Sequence, residues 1–323
     1  MGEQHDLSAG TATPADDRAS TDAAATLADA PEATPHAARV AAPETAIATE
    51  TPPDPNYPRW RVEPGSGFRL GAVDPGESEH YQKKRDTKEE LERQRRRIED
   101  LQARLYAERR QSLLIVLQAL DTGGKDGTIR GVFQGVNPQG CQVWSFKAPS
   151  AEELEHDFLW RYHQKTPPRG MITIFNRSHY EDVLVVRVKG LMPEEVWRER
   201  YRIINEFEHT LTLNNTTVLK FFLHISRDEQ KRRLESRLAD PDKGWKFSSN
   251  DLKERAFWDD YMVAFEDAIN NCSTDYAPWY VVPANNKWYR NLVVARTIAD
   301  TLEAMGPQFP APEAGLDKIV VAD

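Results

Sequence analysis

The sequence predicts an α/β domain: a parallel sheet of about five strands flanked by helices, with a helical lid over one edge. Three observations predict it. The apolar run Leu113–Leu120 has the composition of a strand buried on both faces. Strand-like and helix-like segments then alternate as far as Met305, the pattern of a parallel sheet covered by helices. A glycine-rich turn, Gly123-Gly124-Lys125, joins the first strand to the helix after it.

Taken in order, residues 1–55 contain no Phe, Trp or Tyr and are mostly Ala, Thr, Pro, Asp and Glu. Such a stretch cannot bury enough apolar surface to offset its ordering entropy, and a disordered tail is expected. It holds ten Asp or Glu against two Arg, so −8 of the chain's net −9 lies there. The remainder is near neutral, and a polyanion would have to meet a local basic patch. Residues 56–110 read as an irregular arm containing Trp60, Pro64 and Phe68, followed by a charged helix. Thr87 and Glu90 suggest a capping box for it. Leu91, Ile98 and Leu105 recur every seven residues and mark one buried stripe on a solvated helix.

The domain proper is expected over 111–306. Gly140–Phe146 is its second strand. Ser150 and Glu153 cap a helix running to about Gln164, stopped by Pro167-Pro168. Met171–Phe175 is the third strand. Pro193 opens a long helix, Glu194–Leu213. Thr217–Ile225 and Trp279–Pro283 are the fourth and fifth strands, and Lys287–Met305 is the last helix. The charged stretch 228–271, broken at Asp240-Pro241, is expected to be the lid. Trp245, Trp258 and Trp279 are lid or core aromatics. Residues 307–323 form a C-terminal tail.

Composition excludes several classes. Cys141 and Cys272 are far apart and in no metal-ligand spacing, which fits a reducing compartment. Glu3 and Asp6 stand where a signal peptide would be basic and then apolar. Leu113–Leu117 is too short to span a bilayer. A cytoplasmic protein is expected, with neither membrane nor nucleic acid as a partner.

The chemistry concentrates in Ala119-Leu120-Asp121-Thr122-Gly123-Gly124-Lys125-Asp126-Gly127-Thr128. The string resembles a Walker A loop with two departures. Ala119 stands where the first Gly is expected, and Asp126 where Ser or Thr follows the Lys. Gly123, Gly124 and Gly127 let backbone N–H groups turn toward phosphate, with Thr122 and Asp126 completing the loop and the next helix adding its positive end. Lys125 would bridge the phosphoryl group being transferred, and Thr128 could supply the displaced hydroxyl. A tight turn that merely needs glycine would also explain Gly-Gly-Lys; the flanking strand and helix favour phosphate. Asp121 suits a magnesium ligand, or a base for an attacking phosphate oxygen.

Several strings together resemble the polyphosphate kinase 2 family. They are Ala119–Thr128, Gly135-Val-Asn-Pro-Gln-Gly140, Phe175-Asn-Arg-Ser-His-Tyr-Glu-Asp-Val183, Asp228-Glu-Gln-Lys-Arg-Arg233 and Ala277-Pro-Trp-Tyr-Val-Val-Pro283. They stand in the family's order and span roughly 60–305. The resemblance implies a P-loop kinase fold with a helical lid. It implies magnesium, or manganese in its place, and phosphoryl transfer between inorganic polyphosphate and AMP, ADP, ATP or their guanine counterparts. It also implies a homodimer or homotetramer.

Many family members carry Asp where this chain has Asn176, so that magnesium ligand is weakened here. The Phe175–Val183 string resembles the subgroup called class III, which phosphorylates both AMP and ADP. Glu181 could restore an acid near the acceptor, and Arg177 would clamp phosphate. From the lid, Lys231, Arg232, Arg233 and Arg237 are candidates, the last two sharing a helix face. Lys147 resembles a family position facing the nucleotide or the chain. Phe146 is either a base-stacking ring or core, and His179 and Tyr180 are expected to pack. Two rivals share these residues: an ATP-dependent small-molecule kinase, and a binding module without catalysis.

Overall fold

The structure, a computed structural model, describes residues 60–242, 249–316 and 319–321. The expected tail 1–55 and Trp245 lie outside the described residues.

The elements run β1 (Arg61–Val62), α1 (Lys88–Glu108), β2 (Ser112–Gln118), α2 (Lys125–Val132), β3 (Cys141–Ser145), α3 (Ala151–Leu154) and α4 (Trp160–His163). They continue β4 (Ile172–Asn176), α5 (Glu181–Val188), α6 (Glu194–Leu213), β5 (Thr216–His224), α7 (Arg227–Leu238), α8 (Ser249–Ala256), α9 (Trp258–Cys272), β6 (Trp279–Pro283) and α10 (Lys287–Met305). The sheet order is β1-β6-β5-β2-β4-β3. Every pairing is parallel except that of β1 with β6. The five expected strands are all present. The sixth, β1, is two residues long and has no alternation for a sequence pattern to register.

The apolar run of β2 splits by parity. Leu114 and Val116 enter the core on one face, and Leu113, Ile115 and Leu117 enter the other. Both faces of the central strand are therefore dry, which is why it lacks polar alternation. On the second face α1 packs on α10 through Ile98 and Leu105, with Leu91 half-buried.

Three local expectations need correction. Thr87 precedes α1 but makes no side-chain cap; its hydroxyl donates to Lys84 O at 3.1 Å. Glu90 instead accepts from Tyr81 Oη and from Arg296, so a tertiary ion pair takes the acid the box would need. The helix expected from Ser150 to Gln164 begins with its capping box but breaks into α3 and α4. Asp157 causes the break: its carboxylate accepts from Leu159 N–H at 2.9 Å, a local turn that competes with the helix. The stretch expected as a lid also contributes to the core. Tyr261, Ala264, Phe265, Ala268, Ile269 and Cys272 of α9 are buried against the sheet's first face. Trp258 and Trp279 are core as well. No helix among the described residues is long and apolar enough to cross a membrane.

The carboxyl ends of β2, β4, β5 and β6 lie side by side, so the loops leaving them meet in one crevice, where open α/β sheets bind ligands. His224 ends β5 beneath this crevice. Burial lowers its pKa to about 4, against opposing pulls from the Val73 backbone and Asp74. Folded His224 therefore stays neutral while the unfolded chain takes a proton below about pH 6.5. The stability present above that pH is lost as pH falls toward 4, by about 3 kcal/mol for this one group. Thermal melts should accordingly fall more steeply between pH 6.5 and 4 in the wild type than in His224→Gln. Parallel curves would show that His224 does not carry the effect.

Candidate active site

The phosphate-loop geometry starts at the end of β2. Gly123 N–H donates to Leu120 O at 2.9 Å, and Thr122 and Gly124 take positive φ of 62° and 107°. The chain thus doubles back within four residues before α2 begins. A Cβ on Gly123 would fall 2.5 Å from the Ala119 Cβ, so the tight turn itself demands glycine there. The first turn of α2, from Lys125, leaves N–H groups without intrahelical partners and aims a positive helix end along the loop.

Lys125 Nζ donates to Ala119 O at 2.7 Å. Burial, with the Arg177 charge, lowers its pKa to about 8, although Asp121, Glu181 and Asp126 pull it upward. Three carboxylates and one guanidinium therefore act on one ammonium. Asn176, at the end of β4, donates its amide to Asp126 Oδ1 at 2.8 Å and to Ser145 Oγ at 3.3 Å. Thr128 is buried and its hydroxyl donates back to Gly124 O at 3.1 Å. That hydroxyl is therefore taken up inside the first turn of α2 and is not the free group expected.

Arg177 follows β4 with a left-handed φ of 64°, its N–H donating to Leu117 O at 3.1 Å. This turn throws the guanidinium over the loop. Its Nη2 donates to Asp121 Oδ1 at 2.9 Å and its Nη1 to Glu181 Oε2 at 3.5 Å. The Glu181 charge, then that of Asp121, raises the Arg177 pKa against its burial. Asp121, Arg177 and Glu181 line a cavity of about 550 Å³. Its wall includes apolar Phe158, Leu184 and Met192, with Lys147 and Arg161 on the polar side. Phe146 belongs both to the core, edge-on to Phe175, and to this wall. On the same wall Asp182 accepts from Arg200 at 2.9 Å, and burial raises its pKa to about 6.

His179 and Tyr180, between Arg177 and Glu181, are buried as expected, and they form a polar network. His179 Nε2 lies 3.0 Å from Glu208 Oε1, and Tyr180 Oη donates to the same oxygen at 2.9 Å. Lys220 closes the network on Glu208 and donates to Cys272 O at 2.6 Å.

The four basic lid candidates separate by face. Arg233 reaches the loop, donating to Thr122 O at 2.9 Å and Gly123 O at 3.1 Å, and across to Ala284 O at 2.6 Å. Arg237 is partly buried and pairs with Asp251 at 3.3 Å. Lys231 and Arg232 point to solvent beside Glu235 and Glu229, away from the phosphate loop. Three residues here were not singled out from the sequence, although Gln230 lies in the Asp228–Arg233 string. Gln230 Nε2 donates to Asp121 O at 3.2 Å, and Arg255 donates to Gln230 Oε1 at 2.9 Å. Arg290, on the first turn of α10, lies against Gly124 and Gly127. Nothing around Arg290 in the sequence, Asn291 on one side and a second arginine, Arg296, six residues on, marks it out.

Among the described residues, no three His, Cys, Asp or Glu side chains cluster as a self-sufficient metal cage. A magnesium ion instead takes one or two carboxylates and completes its shell with substrate phosphates and water. Asp121 and Asp126, with Asn176 beside them, supply hard oxygen donors of that kind at the loop, so the residues present fit the ion.

A phosphate loop between a buried parallel strand and a helix, facing an arginine–carboxylate cluster, defines a P-loop kinase scaffold. The model of the family described as Polyphosphate kinase 2 (PPK2) matches residues 81–310, and the chain belongs to that family. The AMP/ADP-polyphosphate phosphotransferase of Meiothermus ruber is 53% identical over 81% of this chain and 99% of its own. The ADP-polyphosphate phosphotransferase of Rhodopseudomonas palustris is 46% identical over 78% of this chain and 91% of its own. The crystal structure of polyphosphate kinase 2 from Arthrobacter aurescens TC1 superposes with a TM-score of 0.78 at 45% identity, covering 80% of this chain and 93% of that one.

Proposed function

We propose that this chain transfers the terminal phosphoryl group of inorganic polyphosphate to ADP and to AMP, with magnesium as the ion and manganese able to replace it. The observation that carries this reading is the convergence of the phosphate loop and the Asp121–Arg177–Glu181 cluster on one nucleotide-sized cavity.

In the step proposed, the bond from the terminal phosphorus to its bridging oxygen breaks, the chain leaves with that oxygen's charge, and an acceptor phosphate oxygen forms the new bond. That acceptor oxygen is already ionised at neutral pH, so a general base adds little and positioning dominates. Lys125 and the loop N–H groups hold the group in transit. Arg177, kept in place by Asp121 and Glu181, neutralises charge on the acceptor side. The apolar wall around Phe158 and Leu184 takes the base. A bound divalent ion supplies charge neutralisation to the phosphates from Asp121 and Asp126. The same reading retains the expected cytoplasmic setting and a homodimer or homotetramer, which light scattering after gel filtration measures directly.

The test is an assay with long-chain polyphosphate, magnesium and either AMP or ADP, read as ADP and ATP formed and stopped by EDTA. A protein that accepts only ATP as donor, on a small-molecule acceptor, would falsify the proposal.

Acceptor choice gives a finer outcome. AMP presents its phosphate one unit deeper than ADP. Glu181 lines the cavity and pairs with Arg177 from outside the phosphate loop, so Glu181→Ala is expected to lower kcat/KM for AMP several-fold more than for ADP. Equal losses would remove the selective role. Asn176→Asp should remain active and narrow the preference, since it sets a second carboxylate where the amide now donates to Asp126. Two such acids need a cation between them, so this variant's activity should also depend more steeply on magnesium concentration.

A further inference from the structure

Arg233 has no donor left for a ligand. Its Nε donates to Glu229 at 2.6 Å, its Nη1 to Thr122 O and Gly123 O at 2.9 and 3.1 Å, and its Nη2 to Ala284 O and Asn285 O at 2.6 and 3.1 Å. Every N–H of the guanidinium is thereby spent on protein. Three residues earlier on α7, Gln230 is buried, and its Nε2 donates to Asp121 O at 3.2 Å. Arg255 of α8 donates to Gln230 Oε1 at 2.9 Å and to Arg227 O at 2.8 Å. An arginine can only donate, so Arg255 fixes which end of the amide faces Asp121. Three successive carbonyls of the phosphate loop, those of Asp121, Thr122 and Gly123, are therefore all bonded to one helix.

In a trans peptide the carbonyl of one residue and the N–H of the next point in opposite directions. Holding these three carbonyls on α7 therefore aims the N–H groups of Thr122, Gly123 and Gly124 away from that helix. Gly123 N–H is used within the turn, on Leu120 O. Among the described residues no acceptor is bonded to the N–H of Thr122 or of Gly124, and these two are left for an anion. The loop needs such a hold, because Thr122 keeps a left-handed φ of 62°. A β-branched residue seldom takes that conformation unless its surroundings impose it.

We infer that Gln230, itself fixed by Arg255, is a positioning residue of the reaction: together with Arg233 it sets the peptide planes between Asp121 and Gly124 so that the loop's amides face the phosphoryl group in transit. The inference rests on the proposed transfer at this loop. It gives α7 a part in the chemistry that needs no contact with either substrate, since the helix acts through the loop's backbone. Gln230 also lines the acceptor cavity, so holding the loop has to be told apart from touching the acceptor.

Gln230→Glu and Gln230→Met do so. Both remove the donor to Asp121 O, but Glu keeps an acceptor for Arg255 and Met does not. Both variants should lower kcat for polyphosphate-dependent ADP phosphorylation by about tenfold or more, since small misplacements of a preorganised site are costly. The KM for ADP should stay within about twofold of wild type, because the acceptor's own contacts are kept. Deuterium uptake by residues 119–128, followed by mass spectrometry on the ligand-free protein, should rise in both variants while uptake by β5 is unchanged. Near-normal kcat and unchanged uptake in Gln230→Glu would overturn the inference and leave Gln230 as a dock for α8 through Arg255. A raised KM for ADP with kcat preserved would also overturn it, as the sign of direct contact with the acceptor. So would uptake raised throughout the fold, the sign of a general loss of stability. A wild type without polyphosphate-dependent activity would remove the proposed reaction, and the uptake comparison would then decide alone: a rise confined to 119–128 keeps the hold on the loop, and unchanged uptake ends it.

Discussion

Lys125→Ala is expected to lower kcat for polyphosphate-dependent ADP phosphorylation by about a hundredfold or more, the usual cost of removing one preorganised charge donor from a transition state. Lys125 Nζ feels the charges of Asp121, Asp126, Arg177 and Glu181 and, among the described residues, donates to Ala119 O. The folded state gains little from that ammonium, since burial and Arg177 both disfavour its charge. The melting temperature should therefore stay within a few degrees of wild type. Steady-state kinetics with both substrates varied, alongside a thermal melt, separates the two effects. A folded Lys125→Ala protein with near-normal kcat would end the assignment of the loop.

The second large effect concerns stability. Lys220→Met should cost roughly 3–5 kcal/mol, because it strands the fully buried Glu208 as an uncompensated charge. Burial pushes the Glu208 carboxyl pKa upward, yet Lys220 and His179 together hold it below the usual range. Without Lys220, burial prevails and Glu208 must take a proton or unfold its surroundings. For a domain of this size the expected fall in melting temperature is about 10 °C. The double variant Glu208→Leu/Lys220→Met should recover part of the loss, since no charge is then left buried alone. Urea titration of the three proteins measures this. A loss under 1 kcal/mol in Lys220→Met would show that Glu208 is not held by that pair. Because His179 and Tyr180 hang from Glu208 and lie between Arg177 and Glu181, activity should fall with stability in the single variant.

Much of the architecture was legible in the residues themselves. The continuous apolar run of β2 reflects its burial on both faces, so its composition alone placed it at the centre of a parallel sheet. Pro193 and Lys287–Met305 marked helix limits that the structure reproduces, because helix ends depend on residues a few positions away. The glycines of the loop were likewise legible. Gly123 and Gly124 answer steric demands, and steric demands at a tight turn are local.

Other features were decided only when distant segments met. Sequence spacing put Thr128 in the loop, but the first turn of α2 takes its hydroxyl for Gly124 O. Asn176 looked like a weakened metal ligand, and it is also the amide that orients Asp126. Four basic residues in the lid were equal candidates until the helix, docked by Gln230 and Arg233, left Lys231 and Arg232 in solvent. The second half of the stretch expected as the lid joined the core because α9 meets α5 and α6, a pairing its charged sequence does not announce. Arg290 is the clearest instance. Nothing near it in the chain distinguishes it from a surface arginine on a helix. Its meaning comes from the glycine loop lying on its guanidinium and from the absence, among the described residues, of any carboxylate bonded to it. Periodicity and capping encode contacts along the chain, whereas the electrostatic partners of a buried charge are set by which elements the sheet brings together.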